Sequence, residues 1–79
     1  MKLPRDLSGR QLAQALCKSW GYVEVHQTGS HIIIETEQPS HQRIAVPAHQ
    51  SLRIGTLNAI LRAVSQHKQT TRDEILRAL

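Results

Sequence analysis

An α+β fold is what this sequence predicts: a three-stranded antiparallel sheet with helices packed on one face, in the order α-β-β-β-α, and a short extra C-terminal helix. Three observations carry that expectation. Apolar residues recur at helical spacing between a capping signal at Ser8 and Gly21. The period then shortens to two over residues 22–46, interrupted by two short turn signals. Helical spacing returns after Gly55-Thr56. Seventy-nine residues are about half the ~150 that a domain usually takes, so 1–79 reads as one small domain with a thin core.

Each element has a local reason. Ser8 with Gln11 three residues on makes a capping box, and Leu7 can staple onto Leu12. Leu12, Ala15, Leu16 and Trp20 form an apolar stripe that Gly21 ends, which gives a helix over 8–20. Cys17 sits one position off that stripe and reads as a small packing residue. From Tyr22 to Gln27 residues alternate, with Val23 and Val25 on the face expected to be buried and Glu24 and His26 on the other. Thr28-Gly29 signals a turn. His31 to Thr36 holds the β-branched run Ile32-Ile33-Ile34, and Glu37 to His41 is a polar loop broken by Pro39. Gln42 to Val46 is the third strand, with Ile44 and Val46 facing one way and Pro47 ending it. A loop over 48–55 leads to Thr56, a candidate cap for a helix carrying Leu57, Ile60, Leu61 and Val64. Gln66 to Thr70 reads as a polar connection, and Thr71 with Glu74 opens the last short helix. This order of elements is that of double-stranded-RNA-binding domains.

Composition narrows the function classes. One Trp, one Tyr and no Phe argue against stacking bases on a row of aromatic side chains. The net charge of +4 is uneven: residues 1–20 carry four basic groups against one acidic, 21–40 carry three acidic and no basic, and 41–79 carry six basic against two acidic. Basic flanks around an acidic middle suit a nucleic-acid ligand or an acidic partner. The single Cys17 allows no internal disulfide. No apolar run approaches the ~18 residues of a membrane span, and the N-terminus lacks the apolar stretch of a secretory signal, so a cytoplasmic location is expected.

The histidines come first among residues that can do chemistry. The chain has five, and the spacings of His26, His31, His41 and His49 match no zinc pattern, with one thiol available, so no metal or other cofactor is expected. Ser30 and His31 are adjacent, and in a strand adjacent side chains point to opposite faces, which argues against a bonded nucleophilic pair. There is no G-x-S-x-G elbow and no glycine-rich phosphate loop. What remains is Gly29-Ser30-His31, a turn that delivers a histidine at the head of the central strand. Glycine there permits a left-handed turn or a close backbone approach, Ser30 offers a hydroxyl, and an imidazole exchanges protons near neutral pH.

Gly29-Ser30-His31, then Val46-Pro47-Ala48-His49, then Gly55-Thr56-Leu57 with Ile60-Leu61 resemble the HicA toxins, small bacterial and archaeal mRNA interferases. The resemblance runs from the Leu12 to Tyr22 segment to Asp73-Glu74-Ile75. It implies the double-stranded-RNA-binding type of fold, RNA cleavage, a catalytic role for His31, and a HicB antitoxin that masks that histidine. Two departures stand out. Thr28 occupies a position where members often carry a basic residue, and Gln66–Thr71 is longer and more polar than the usual turn.

The chemistry of RNA agrees with such an assignment. The 2′-hydroxyl is a built-in nucleophile, so a metal-free enzyme needs proton transfer and stabilisation of charge. Arg53 or Lys2 can hold phosphate, with Gly29, Ser30, Gly55, Thr56 and His49 as further RNA contacts and Arg5, Arg10 and Lys18 as an alternative track. Arg53 stands just ahead of a helix start whose N–H groups and dipole favour an anion. A second acid or base has no assignment; His49 is the best candidate, and its loop can equally be structural. A non-catalytic module of the same fold, binding RNA or protein, is the alternative function, with a metal-dependent or purely structural protein third.

Overall fold

The computed structural model describes residues 6–79. Its elements are α1 (Gly9–Ser19), β1 (Val23–Thr28), β2 (His31–Thr36), β3 (Gln42–Pro47), α2 (Ile54–Lys68) and α3 (Arg72–Arg77). The three strands form one antiparallel sheet in the order β1-β2-β3. This is the α+β arrangement expected from the sequence, including the short last helix.

Local signals start α1 where the sequence places them. Gln11 N donates to Ser8 Oγ, and Ser8 N donates to Gln11 Oε1, both at 3.0 Å. Such a cap contributes about 1 kcal/mol. Leu12, Ala13 and Leu16 are the buried residues of α1 beside Gly9, and they meet Ile32 and Ile34 of β2, Ile44 and Val46 of β3, and Leu57, Ile60, Leu61 and Val64 of α2. Ile75 and Leu76 of α3 complete the cluster. Each fully buried Leu or Ile removes apolar surface worth roughly 1.5–3 kcal/mol from water. No helix among the described residues is long and apolar enough to cross a membrane.

The outer strand β1 departs from expectation. Val23 and Val25 are 62% and 48% exposed, and the whole strand is exposed. The face towards the helices belongs instead to Glu24 and Gln27, whose side chains both accept from the Arg10 guanidinium of α1. Strand pairing decides this. Residues opposite one another share a face, and Glu24 and Gln27 stand opposite Ile34 and Ile32, the two isoleucines that face the helices. β1 lies at the rim of the helical layer, where a long Arg side chain can close the contact but no core remains to bury valine.

The second long helix also begins and ends away from its expected bounds. It starts at Ile54 with Arg53 as its cap residue, and no side chain caps it, so Thr56 lies inside the first turn rather than before it. Leu52 forces the earlier start: it is buried, and its N–H donates to Leu7 O at 2.8 Å, so the chain turns inward before Thr56. The helix runs on through His67 and Lys68, which the sequence placed in a loop, and ends at Gln69 in a left-handed conformation, φ 54°. Lys68 Nζ donates to Thr36 Oγ1 at 2.9 Å and to Gln38 O at 2.7 Å, and it lies 4.9 Å from the centre of the Tyr22 ring. Lys68 is therefore a structural pin. Its burial pulls the ammonium pKa below its ordinary value. Tyr22, buried beneath it, has its phenol pushed up to about 12 by desolvation, and its hydroxyl donates to Gln42.

Candidate functional site

The candidate site forms at the end of the sheet where β1 turns into β2 and where β3 finishes. Thr28 pairs with His31, so Gly29 and Ser30 alone make the hairpin loop. Gly29 has φ +45° and Ser30 does not have a positive φ, the pattern of a II′ turn, which matches the right-handed strand twist. A Cβ on Gly29 would meet nothing within 4 Å, so the glycine serves the turn rather than a close approach inside the protein.

The turn gives Ser30 a position the strand rule did not foresee. Ser30 belongs to the loop and not to the strand, so it escapes strand alternation, and its Oγ lies 3.3 Å from Nδ1 of His31. The expectation that strand geometry keeps these neighbours from bonding easily is thus corrected. The contact serves either tautomer. A Ser30 hydroxyl donating to Nδ1 leaves Nε2 carrying the proton, and an Nδ1–H donating to Ser30 leaves Nε2 as a base. His31 is exposed, and alternation with Ile32 and Ile34 puts it on the sheet face opposite the helices, with Ile33 and Glu35.

Pro47 stands opposite His31 on β3, and Ala48 N donates to Ser30 O at 2.7 Å, so the Pro47-Ala48-His49 segment is bound alongside the turn. The start of α1 holds it there. Gly9 N donates to His49 O at 2.9 Å, and a Cβ on Gly9 would lie 1.7 Å from the Pro47 carbonyl oxygen. Only glycine lets the helix come this close. The His49 side chain is exposed.

Arg53, Gly55 and Thr56 start α2 at the far side of the 48–53 connection, and no hydrogen bond ties them to the Gly29–His31 turn. Arg53 is exposed, and its side chain makes no hydrogen bond or ion pair among the described residues. A Cβ at Gly55 would meet nothing within 4 Å. The first N–H groups of a helix lack intrahelical partners, and here no side chain supplies one. Lys2 and Arg5 lie outside the described residues. Arg10 is committed to Glu24 and Gln27, which weakens the alternative track along α1.

One further group could hold a cation. Glu35, Glu37 and His41 each offer a ligand atom within 4.8 Å of the others. Histidine spacing alone missed it, because two of its members are carboxylates joined to His41 across the 37–41 loop. It sits at the opposite end of β2 from His31, roughly 13 Å along the strand at ~3.3 Å per residue. The carboxylates already have partners: Glu37 accepts from His41 at 2.7 Å, and Glu35 lies 3.8 Å from Arg43. The hydrogen bond that His41 donates to Glu37 raises the His41 pKa above its ordinary value. Cys17 is half-buried, and desolvation pushes its thiol pKa up, so it is a packing residue and a poor nucleophile.

Comparison with protein families decides what this sheet end belongs to: the family model for the HicA toxin of bacterial toxin-antitoxin systems matches residues 9–65. The chain belongs to the HicA toxin family. The match spans α1 through most of α2 and contains the Gly29-Ser30-His31 turn, the 47–49 segment and the α2 start. It stops before the 66–71 segment, the second departure noted in the sequence. Comparisons with curated proteins and with solved structures return no match. Membership makes this HicA chain the toxin of a toxin-antitoxin pair and implies an antitoxin partner.

The packing of Gly9 yields a direct prediction. Gly9→Ala should cost about 1–3 kcal/mol, because the new methyl overpacks against the Pro47 carbonyl. A urea melt measures the cost, and amide spectra should show the largest shifts at Ser30, Ala48 and His49. An unchanged melt would mean that α1 does not anchor this segment.

Proposed function

We propose that this HicA toxin is a metal-independent RNA endonuclease, an mRNA interferase, in which His31 transfers a proton at the scissile phosphate. One observation carries the reading. An exposed imidazole stands at the head of the central strand, one ring nitrogen against Ser30 and the other without a partner among the described residues, on the sheet face away from α1, α2 and α3. RNA supplies the nucleophile through its 2′-hydroxyl, so proton transfer and charge stabilisation remain, and a positioned histidine can carry a proton transfer worth about 10²–10⁴ in rate.

Electrostatics supports an RNA substrate. The acidic middle segment has three carboxylates, and each has a cationic or ionisable partner: Glu24 with Arg10, Glu35 with Arg43, Glu37 with His41. Exposed pairs of this kind add little stability, but they neutralise charge that would repel a phosphate chain. Arg53 remains uncommitted at the α2 start, where Gly55 leaves the backbone open and the N–H groups of the first turn are uncapped. In this reading a phosphate sits there against Arg53, Gly55 and Thr56, and Gly29, Ser30 and His49 contact the RNA near His31. The antitoxin is of the HicB type and covers the open face. Val23 and Val25, exposed on that face, offer the apolar anchor such a partner needs.

His31→Ala should abolish RNA cleavage and growth inhibition while melting like the wild type; full cleavage by a folded His31→Ala protein would leave only the non-catalytic binding reading. The same inactive variant allows binding to be measured against salt. Each phosphate contact on single-stranded RNA contributes about −0.7 to the slope of log K against log salt, so adding Arg53→Ala should flatten the slope by about that amount for all sequences alike. Arg77→Ala, whose side chain pairs with Glu74 on α3, is the control. An unchanged slope would move the phosphate track away from α2.

A further inference from the structure

The pairing of β1 places a second histidine beside the first. Glu24 and Gln27 both accept from Arg10 on the helical side, yet they are three residues apart, and in an unbroken strand that separation puts side chains on opposite faces. A bulge resolves the conflict. Glu24 pairs with Ile34 and His26 with Ile33, which leaves Val25 as the extra residue. In a regular ladder Val25 would take Ile33, and His26 would fall opposite Ile32, among the helices. The bulge turns His26 to the open face instead. Thr28 is the partner of His31, so His26 and His31 are diagonal neighbours on one face, a separation of roughly 7–8 Å. Both rings are exposed, and the His26 side chain has no hydrogen bond or ion pair among the described residues. The charged and titratable groups that face His26 are His31 and, on the other diagonal, Glu35, which is directed to Arg43. The helices lie on the other side of the sheet.

We propose that His26 is the second proton-transfer residue of the cleavage, working with His31 across the scissile phosphate. This rests on the endonuclease reading above. As O2′ attacks phosphorus, one neutral imidazole takes the proton of the 2′-hydroxyl. The O2′–P bond forms and the P–O5′ bond breaks. The other ring, as imidazolium, gives its proton to the departing O5′, so the products are a 2′,3′-cyclic phosphate and a 5′-hydroxyl. One proton is taken and one is given, and no other reactant enters. The attacking and leaving oxygens lie on opposite sides of phosphorus, so a single ring cannot serve both at once, whereas two rings projecting from neighbouring strands can. His49 is the competing partner. It stands on a loop, while His26 stands on a strand with its direction set by pairing, and strands hold reacting groups more exactingly than loops do.

The test compares wild type, His26→Ala, His26→Asn, His31→Ala and His49→Ala on one oligoribonucleotide, with rate followed against pH and affinity measured separately. His26→Ala and His26→Asn should each lose about 10²–10⁴ in rate at unchanged affinity, and the bell-shaped pH profile of the wild type should keep only one limb. A substrate with sulfur in place of the leaving O5′ needs no protonation on departure. It should restore the rate of either the His26 or the His31 variant, whichever has lost the acid, and not of the other. Wild-type rate and profile in both His26 variants, or equal slowness of the His26 and His31 variants on the sulfur substrate, would overturn the assignment and leave the endonuclease intact. A wild-type protein that leaves RNA uncut would remove the endonuclease reading and this inference together.

Discussion

The approach of Gly9 to the Pro47 carbonyl sets the geometry on which the candidate site depends. A helix start pressed against the end of a strand has no space for a side chain at the contact, and a Cβ there would fall 1.7 Å from the carbonyl oxygen. The contact fixes where β3 ends. Because Gly9 N also donates to His49 O and Ala48 N to Ser30 O, the Pro47-Ala48-His49 segment joins the α1 start to the β1–β2 turn. His31 follows that turn directly, so its ring is placed by a chain of backbone bonds that begins in α1. Backbone bonds of this kind survive most side-chain substitutions, which suits a site that has to hold one imidazole in one place.

The sheet divides its labour between two faces. Ile32, Ile34, Ile44 and Val46 bury themselves against α1 and α2 and supply the cohesion of a small fold. The reverse face carries His26, His31, Ile33 and Glu35, and none of the helices among the described residues covers it. Such a division has a cost, since an open face and the unpaired edge of β1 expose Val23 and Val25 to water. In the proposed reading the antitoxin offsets this cost by covering what the fold leaves bare. Charge follows a similar division: the carboxylates of the middle segment are each paired, while the Arg53 side chain has no partner among the described residues.

Features set by local chemistry were legible in the sequence, and features set by pairing across the fold were not. Ser8 and Gln11 lie three residues apart, and the cap they form needs nothing else, so α1 could be placed from its own residues. The Gly29-Ser30 turn was equally visible, as were His31 and its family resemblance. The face of β1 was not, because a strand's burial depends on its register, and one extra residue at Val25 reverses the parity of all that follows. The start of α2 was misplaced at Thr56 because Thr is a good cap, while Leu52, buried and bonded to Leu7, turns the chain earlier. Lys68 looked like part of a solvated connection because the polar run hides that its ammonium reaches Thr36 and Gln38. Gly9 looked like one more residue of a helix, since close backbone approach leaves no mark in a sequence read one element at a time.

In the proposed reading imidazole chemistry on this open face, rather than a metal-bound water, breaks the RNA chain. Among the described residues the group able to hold a cation, Glu35, Glu37 and His41, lies at the other end of β2 from His31, and its members are already paired with one another or with Arg43. The most direct measurement is the chemistry of the cut ends after reaction in excess EDTA. The account predicts undiminished cleavage that leaves 2′,3′-cyclic or 3′-phosphate on one fragment and a 5′-hydroxyl on the other, because the 2′-oxygen is the nucleophile. Fragments bearing a 5′-phosphate, or activity lost in EDTA and restored by a divalent cation, would contradict it.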